Sequence, residues 1–354
     1  MSKVYIEKCD NYEYGKIEAI IFEGLSKMDR LEAKIREGAK VLVKPNLLKG
    51  NKPEEGITTH PAVVRYLMAR GCQVTLADSP GGPYSGASLK NIYRISGMAE
   101  VAARTGCLLN EDISAAQVEN PGATRLKKMD VIRIAAEADF IVNVAKLKTH
   151  CMMTYTGAVK NLFGLIPGLT KADYHLKMKT TENFAEHLVD ICEYGKPVVN
   201  VIDGIVGMEG NGPSSGELRN SGILIISDNA YSADLAACQM IGISDRMVPV
   251  LVTARKRGIP GSDRSEIEYV KLLPEELRIQ PFKLPDTASI TFVGGKVPGF
   301  VEDFILNHLR SKPVVITKKC VKCGICAEVC PAKVIDMKEG YPKIELGECI
   351  RCFC

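Results

Sequence analysis

Toward the end of the chain runs Cys320-Val-Lys-Cys323-Gly-Ile-Cys326-Ala-Glu-Val-Cys330-Pro331, and no other stretch restricts the fold so tightly. The spacing C-x2-C-x2-C-x3-C-P is that of a bacterial ferredoxin run around a cubane [4Fe–4S] cluster. Three thiolates spaced in this way wrap one cluster on a tight loop, with Gly324 relieving the backbone as it turns around the sulfurs. In two-cluster ferredoxins the fourth cysteine, here Cys330, serves the other cluster, and the proline after it breaks the helix. A second run, Cys349-Ile-Arg-Cys352-Phe-Cys354, begins the same pattern. Zinc competes as the metal, but zinc sites rarely use a third cysteine at this spacing followed by x3-C-P. The expected ligands are Cys320, Cys323, Cys326, Cys330, Cys349 and Cys352. Cys354 falls one position short of the usual third cysteine. At most one stable cluster is therefore expected in this chain, and two in a full-length protein.

Other features narrow the class. Of 354 residues, 46% are apolar and 25% charged, as in ordinary globular proteins. The formal net charge of +4 comes without a Lys/Arg block, which argues against nucleic acid or a membrane surface as partner. Beyond the cysteine runs, Cys9, Cys72, Cys107, Cys151, Cys192 and Cys238 are scattered without motif spacing. No signal-peptide pattern opens the sequence, and no apolar run reaches the length of a membrane span. A reducing cytoplasm is the expected compartment, with the scattered cysteines as small buried apolar residues.

The first third alternates strand and helix. Val4–Cys9 and Lys40–Lys44 read as strands, as does Gln73–Asp78. Helices are expected over Ile17–Met28, Leu31–Glu37 and from His60-Pro61 to Arg70. That rhythm predicts an α/β fold, a largely parallel sheet with helices on both faces. Further strands are expected at Val131–Ile134, Phe140–Val144, Val198–Asp203, Gly222–Asp228 and Ser289–Val293. Further helices are expected near Leu89–Ile95, Met98–Arg104, Phe184–Glu193, Tyr231–Ile241 (capped by Asp228), Met247–Arg257 and Phe300–Leu309. Residues 151–183 show little periodicity. Composition changes near Lys312-Pro313, dividing an α/β domain (1–312) from a small ferredoxin-like module (313–354) that looks incomplete at its C-terminus.

In open parallel sheets ligands gather beyond the carboxyl ends of the strands. Lys44, Asn46, Asp78, Lys146, Lys148, His150, Asp203 and Asp228 each follow an apolar strand, so the fold brings them to one edge. Several converging lysines suit an anionic ligand. His150 among lysines favours its neutral form, which suits either a general base or a hydrogen-bonded structural residue. Thr156–Gly164 reads either as a helical turn presenting Lys160 and Asn161 or as a basic loop. Asp203–Gly216 is glycine-rich but lacks the dinucleotide and P-loop fingerprints. It reads as a flexible loop over the site, with Asp203 and Glu209 as acid–base or metal groups, or as an exposed turn.

These residues carry a resemblance. Val43-Lys44-Pro45-Asn46, Lys146-Leu-Lys148-Thr149-His150, Ala158-Val-Lys160-Asn161-Leu-Phe-Gly164 and Asp203-Gly-Ile205 through Glu209-Gly-Asn-Gly-Pro213 match motifs of the domain of unknown function 362 family. The chain resembles that family from residue 1 to about 260. Many members similarly carry a C-terminal ferredoxin module, which implies an iron–sulfur protein. A fainter similarity in layout to nickel-dependent lactate racemases implies a two-lobed α/β enzyme with a cleft. The combined expectation is a redox enzyme whose [4Fe–4S] clusters exchange electrons with an anionic small molecule held by Lys44, Lys146, Lys148 and Lys160. One rival is a non-redox enzyme with a structural or sensing cluster. The other is an electron-carrier or binding subunit without catalysis. A redox partner protein is expected.

Overall fold

The computed structural model describes every residue except 33, 68–70, 82–83, 169, 172–173, 175–179, 278, 286–313, 329, 331–333, 339 and 347–354. Strands β1 (Ser2–Lys8), β2 (Lys40–Pro45), β3 (Gln73–Leu76) and β4 (Leu108–Leu109) come first. A separate hairpin of β5 (Ala115–Glu119) and β6 (Lys128–Ile132) follows. Then come β7 (Phe140–His150), β8 (Thr154–Thr156), β9 (Val199–Glu209), β10 (Glu217–Ser227) and β11 (Ile267–Tyr269). The helices are α1 (Tyr14–Leu25), α2 (Asp29–Glu32), α3 (Pro61–Val64), α4 (Gly86–Ile95), α5 (Met98–Thr105), α6 (Arg133–Glu137), α7 (Ala158–Asn161), α8 (Thr181–Gly195), α9 (Ala230–Met240) and α10 (Pro249–Lys256).

One mixed sheet runs β11-β1-β10-β9-β7-β2-β3-β4, with β8 folded back on β7. The block β9-β7-β2-β3-β4 is parallel, while β10 is antiparallel to both β9 and β1. Strands buried on both faces read as continuous apolar runs, and alternate residues serve two cores. Ile141, Ala145, Leu147, Ile202 and Ile225 pack with Val159, Leu188, Leu235 and Leu251 of α7 to α10. Val43, Val142, Val144, Val201 and Leu224 pack with Ile17, Val63, Leu89 and Val101 of α1, α3, α4 and α5. The sheet is thus covered on both faces, each large side chain contributing roughly 1.5–3 kcal/mol by burial. No helix of the described residues is long and apolar enough to cross a membrane.

Several local expectations change. β7 continues through Lys146, Lys148 and His150, so these residues lie within a strand rather than after it. β9 likewise runs past Asp203 to Glu209, and β10 returns antiparallel beside it. The first half of the expected flexible loop is therefore buried sheet, since hairpin pairing satisfies its backbone polar groups. Helix α3 spans only Pro61–Val64, with His60 as its cap. Asn229, not Asp228, caps α9 by accepting from the backbone N–H of Tyr231 and Ser232. Asp228 instead accepts from the N–H of Lys3. The expected strand Ser289–Val293 and helix Phe300–Leu309 lie outside the described residues.

In the C-terminal module, α11 (Ile325–Glu328) precedes an antiparallel hairpin of β12 (Ile335–Lys338) and β13 (Tyr341–Ile344).

Candidate functional site

A cavity of about 350 Å³ opens at the carboxyl edge of β2 and β3. That size falls in the roughly 300–1,000 Å³ range of small-molecule sites. Lys44, Asn46, Asp78 and His150 line it from the strands, and Lys160 and Asn161 from α7. Phe163, Gly164, Gly168 and Lys171 come from the segment after α7, and Pro213 from the β9–β10 turn. Asp78 is the lone carboxylate among these lining residues.

Lys44 is fixed from several sides. Its Nζ stands 2.9 Å from Asp78 Oδ1 and donates to Asn161 Oδ1 (2.9 Å) and Pro45 O (2.8 Å). Asp78 Oδ2 accepts from the N–H of Leu47 at 2.9 Å. Behind Lys44 the amides form a chain, with Asn161 donating to Asn143 Oδ1 (2.8 Å) and Asn143 donating to Asn200 Oδ1 (2.9 Å). The sheet register sets this up, because Lys44 faces Asn143 and Asn143 faces Asn200 across neighbouring strands. Asn46 extends the chain, donating to Asn161 Oδ1 at 3.0 Å and accepting from Lys148 Nζ at 2.8 Å. Lys148 Nζ also donates to Ile57 O, and Asn46 separates it from the cavity lining.

These ammonium groups sit in an unusual electrostatic setting. Burial lowers Lys148 well below an ordinary lysine, and Lys160, Lys146 and Lys44 push it further down. Lys160 is lowered to about 8 by burial and by Lys44. Lys171, whose Nζ donates to Ser79 O, is lowered to about 7, chiefly by burial. An anion entering the cavity would raise all of them. His150 accepts from the backbone N–H of Met152 (3.1 Å) and Met153 (3.3 Å) at Nδ1, so its ring proton sits on Nε2. In this arrangement His150 is a hydrogen-bond donor, and its Nδ1 lone pair is already engaged.

Two glycines of the sequence motifs have steric duties here. A Cβ on Gly164 would fall 2.0 Å from Asp78 Oδ1 and 2.5 Å from Lys44 Nζ. A Cβ on Gly157 would fall 2.2 Å from Asp234 Oδ1. Asp234 of α9 caps α7, accepting from the N–H of Ala158 (2.6 Å) and Val159 (3.0 Å) and from the Tyr155 hydroxyl. Thus Thr156–Gly164 is a helical turn, with Lys160 and Asn161 aimed at the cavity.

Besides Lys148 behind Asn46 and Asp228 at the opposite edge of the sheet, three more expected site residues lie apart from the cavity. Lys146 and Asp203 form a 2.9 Å ion pair whose side chains are both 0% exposed. Tyr12 closes it, its hydroxyl donating to Asp203 Oδ1 (2.9 Å) and accepting from Lys146 (2.8 Å). The His60 ring stacks on Tyr12 at 3.6 Å, and the His60 backbone N–H donates to Asp203 Oδ2 at 3.0 Å. Burial lowers His60 to about 4, so its ring stays neutral. Glu209 is buried too, accepting from the N–H of Lys283 (3.1 Å) and lying 3.6 Å from Arg219. The strand extensions that carry Asp203 and Glu209 into the sheet remove both from the lining. In contrast, Ser79, Phe163, Lys171 and Pro213 line the cavity without having been singled out. Nothing in the sequence singled out Lys171, because residues 151–183 around it show little periodicity.

In the module, Cys320 is half-buried, Cys323 and Cys326 are exposed, and Cys330 is buried, all as free thiols. Among the described residues no group of three or more His, Cys, Asp or Glu side chains is arranged to hold a metal ion. The donor chemistry nonetheless fits an iron–sulfur cluster, since this loop offers thiols alone and turns at left-handed Gly324 (φ 76°). Cys349 and Cys352 lie outside the described residues.

Comparison with known proteins adds three findings. The family model described as domain of unknown function 362 matches residues 41–239, and a 4Fe-4S binding domain model matches residues 313–336. A thylakoid-associated protein of Synechocystis sp. is 30% identical over 291 residues, covering 81% of this chain and 88% of that protein. A lactate racemase apoprotein structure from Thermoanaerobacterium thermosaccharolyticum aligns at 13% identity with a TM-score of 0.41. That alignment covers 68% of this chain and 56% of the racemase, so the chain spans little more than half of that enzyme's length.

Proposed function

Since the chain belongs to the domain of unknown function 362 family and is an iron–sulfur protein, we propose that its cleft binds an anionic small molecule for one-electron chemistry. The observation that carries this reading is the gathering of Lys44, Lys160 and Lys171 around a cavity whose lining holds one carboxylate. Lys148 adds a further ammonium just behind Asn46. Four lysines against one carboxylate leave a site that gains by taking up negative charge, and apolar walls at Phe163, Pro80 and Pro213 strengthen the attraction by keeping water out.

The residues divide the work. Lys44 is held rigid by Asp78 and Asn161, so it orients an acid group with little loss of side-chain freedom. Lys171 supplies charge that grows as the anion enters, and Lys160 presents its amine to the ligand. His150 lines the same cavity with its Nδ1 engaged by the backbone N–H groups of Met152 and Met153. Cys320, Cys323 and Cys326 would ligate one [4Fe–4S] cluster and Cys330 would serve the other, and a bound cluster supplies or accepts electrons one at a time. A partner redox protein would exchange those electrons.

Titrating the protein with inorganic phosphate, acetate and lactate, followed by calorimetry and thermal unfolding, tests the cleft. At least one anion should bind and raise the melting temperature, and Lys44→Ala should cost about 1.5–3 kcal/mol of that binding. If no anion shifts the melting temperature, or if the variant binds as well as the parent, the reading fails.

A further inference from the structure

The lysines of the cavity are not equivalent. Lys44 is held by Asp78, Asn161 and Pro45 O; Lys148 by Asn46 and Ile57 O; Lys171 by Ser79 O. Lys160 lines the same cavity with no hydrogen bond or ion pair to any described residue. Its backbone is nevertheless fixed, because Asp234 caps the helix that carries it and Asn161, its neighbour, is locked into the amide chain. Presented by a rigid turn among other lysines, with no partner among the described residues, this side chain has no structural duty there that explains it.

We propose that Lys160 is a nucleophilic amine that forms an imine with a small 2-oxo acid seated in this cavity. The inference rests on the anion-binding reading above and adds the chemical class of the ligand. Lys171 donates to the carboxylate of the oxo acid, with the charge of Lys44 beside it. Its carbonyl carbon, one bond away, then lies toward Lys160. The neutral amine adds to that carbon, forming the C–N bond while the carbonyl oxygen takes up a proton. The nitrogen then gives up its second hydrogen as the C–O bond breaks and water leaves. Oxo acid plus amine becomes imine plus water, with no change in oxidation state and no further reactant. Burial and the Lys44 charge favour the neutral amine at Lys160, which is how amines in cationic or apolar pockets become nucleophiles near neutral pH. The volume of about 350 Å³ accommodates a ligand of this size.

Reductive trapping tests the proposal on the full chain. The protein is incubated with pyruvate and cyanoborohydride, digested and mapped by mass spectrometry, with lactate as a competitor. The expected result is a saturable reduced adduct on the peptide carrying Lys160, suppressed by lactate and lost in Lys160→Arg. Lys90→Arg, an exposed lysine of α4, should trap as the parent does. An adduct spread evenly over exposed lysines, or one that persists in Lys160→Arg, overturns the proposal. If pyruvate raises the melting temperature but is not trapped, the imine is refuted and the anion pocket stands. If neither pyruvate nor phosphate binds, both are refuted.

Discussion

Lys146 and Lys148 stand two residues apart on β7, yet their surroundings assign them different duties. Lys146 meets Asp203 in a pair sealed by Tyr12, whereas Lys148 meets only the neutral oxygens of Asn46 and Ile57. Removing one member of a fully buried pair strands the other charge, so Asp203→Ala should lower stability by roughly 3–5 kcal/mol in urea unfolding. A loss below about 1 kcal/mol would show that water reaches the pair. The cavity lysines respond oppositely to pH. In the folded protein Lys160 sits near 8 and Lys171 near 7, below the roughly 10.4 of an unfolded lysine. Between those values the unfolded chain binds more protons, so these two groups make the ligand-free protein more stable as pH rises from 7 toward 10. Anion affinity should fall over the same interval as Lys171 loses its proton, because the bound state needs that ammonium charge. Binding that is flat from pH 6.5 to 9 would remove Lys171 from the site.

At the scale of elements, α7 is one turn long and could not stand alone, since helices this short are marginal in water. Asp234 of α9 holds its amino end, and Gly157 lets that carboxylate approach. Burial raises Asp234 to about 7, against the pull of the Val159 and Ala158 N–H groups and the Tyr155 hydroxyl. Asp234→Ala should cost about 1–2 kcal/mol as a lost cap and should weaken anion binding as well, because Lys160 and Asn161 lose their support. A variant that binds anions normally would show that α7 is positioned by packing alone. Gly164→Ala offers a complementary check. Its methyl would occupy the space of the Lys44–Asp78 pair, so overpacking should cost about 1–3 kcal/mol and abolish phosphate binding. Retained binding would mean that the segment after α7 shifts freely.

For the whole molecule, the cysteine module and the α/β domain are expected to fail separately. Among the described residues the sheet has its own two cores, neither of which draws on the cysteine loop. Cys323→Ser and Cys326→Ser should therefore abolish iron and sulfide binding after anaerobic reconstitution, while the main unfolding transition and phosphate binding remain. A main transition that falls with the iron would make the cluster a structural staple of the whole protein.

The iron–sulfur module and the α/β class follow from sequence alone because they depend on local spacing. Thiolates two residues apart must share a loop, and alternating strand and helix patterns leave few ways to bury their apolar faces. Lys44, Asn46, Asp78, Lys160 and Asn161 were likewise legible, as short motifs at the ends of apolar runs. The sorting of those candidates was not. Whether Asp203 reaches a cavity depends on where β9 stops, and β9 stops late because β10 pairs back along it through a hairpin. Whether Lys171 joins the site depends on a segment whose position is set by contact with the Ser79–Tyr84 loop rather than by its own periodicity. Which lysine is paired and which is left open is decided across strands and helices far apart in the chain. Charge neutralisation is a property of distance in space, and only the tertiary structure determines that distance.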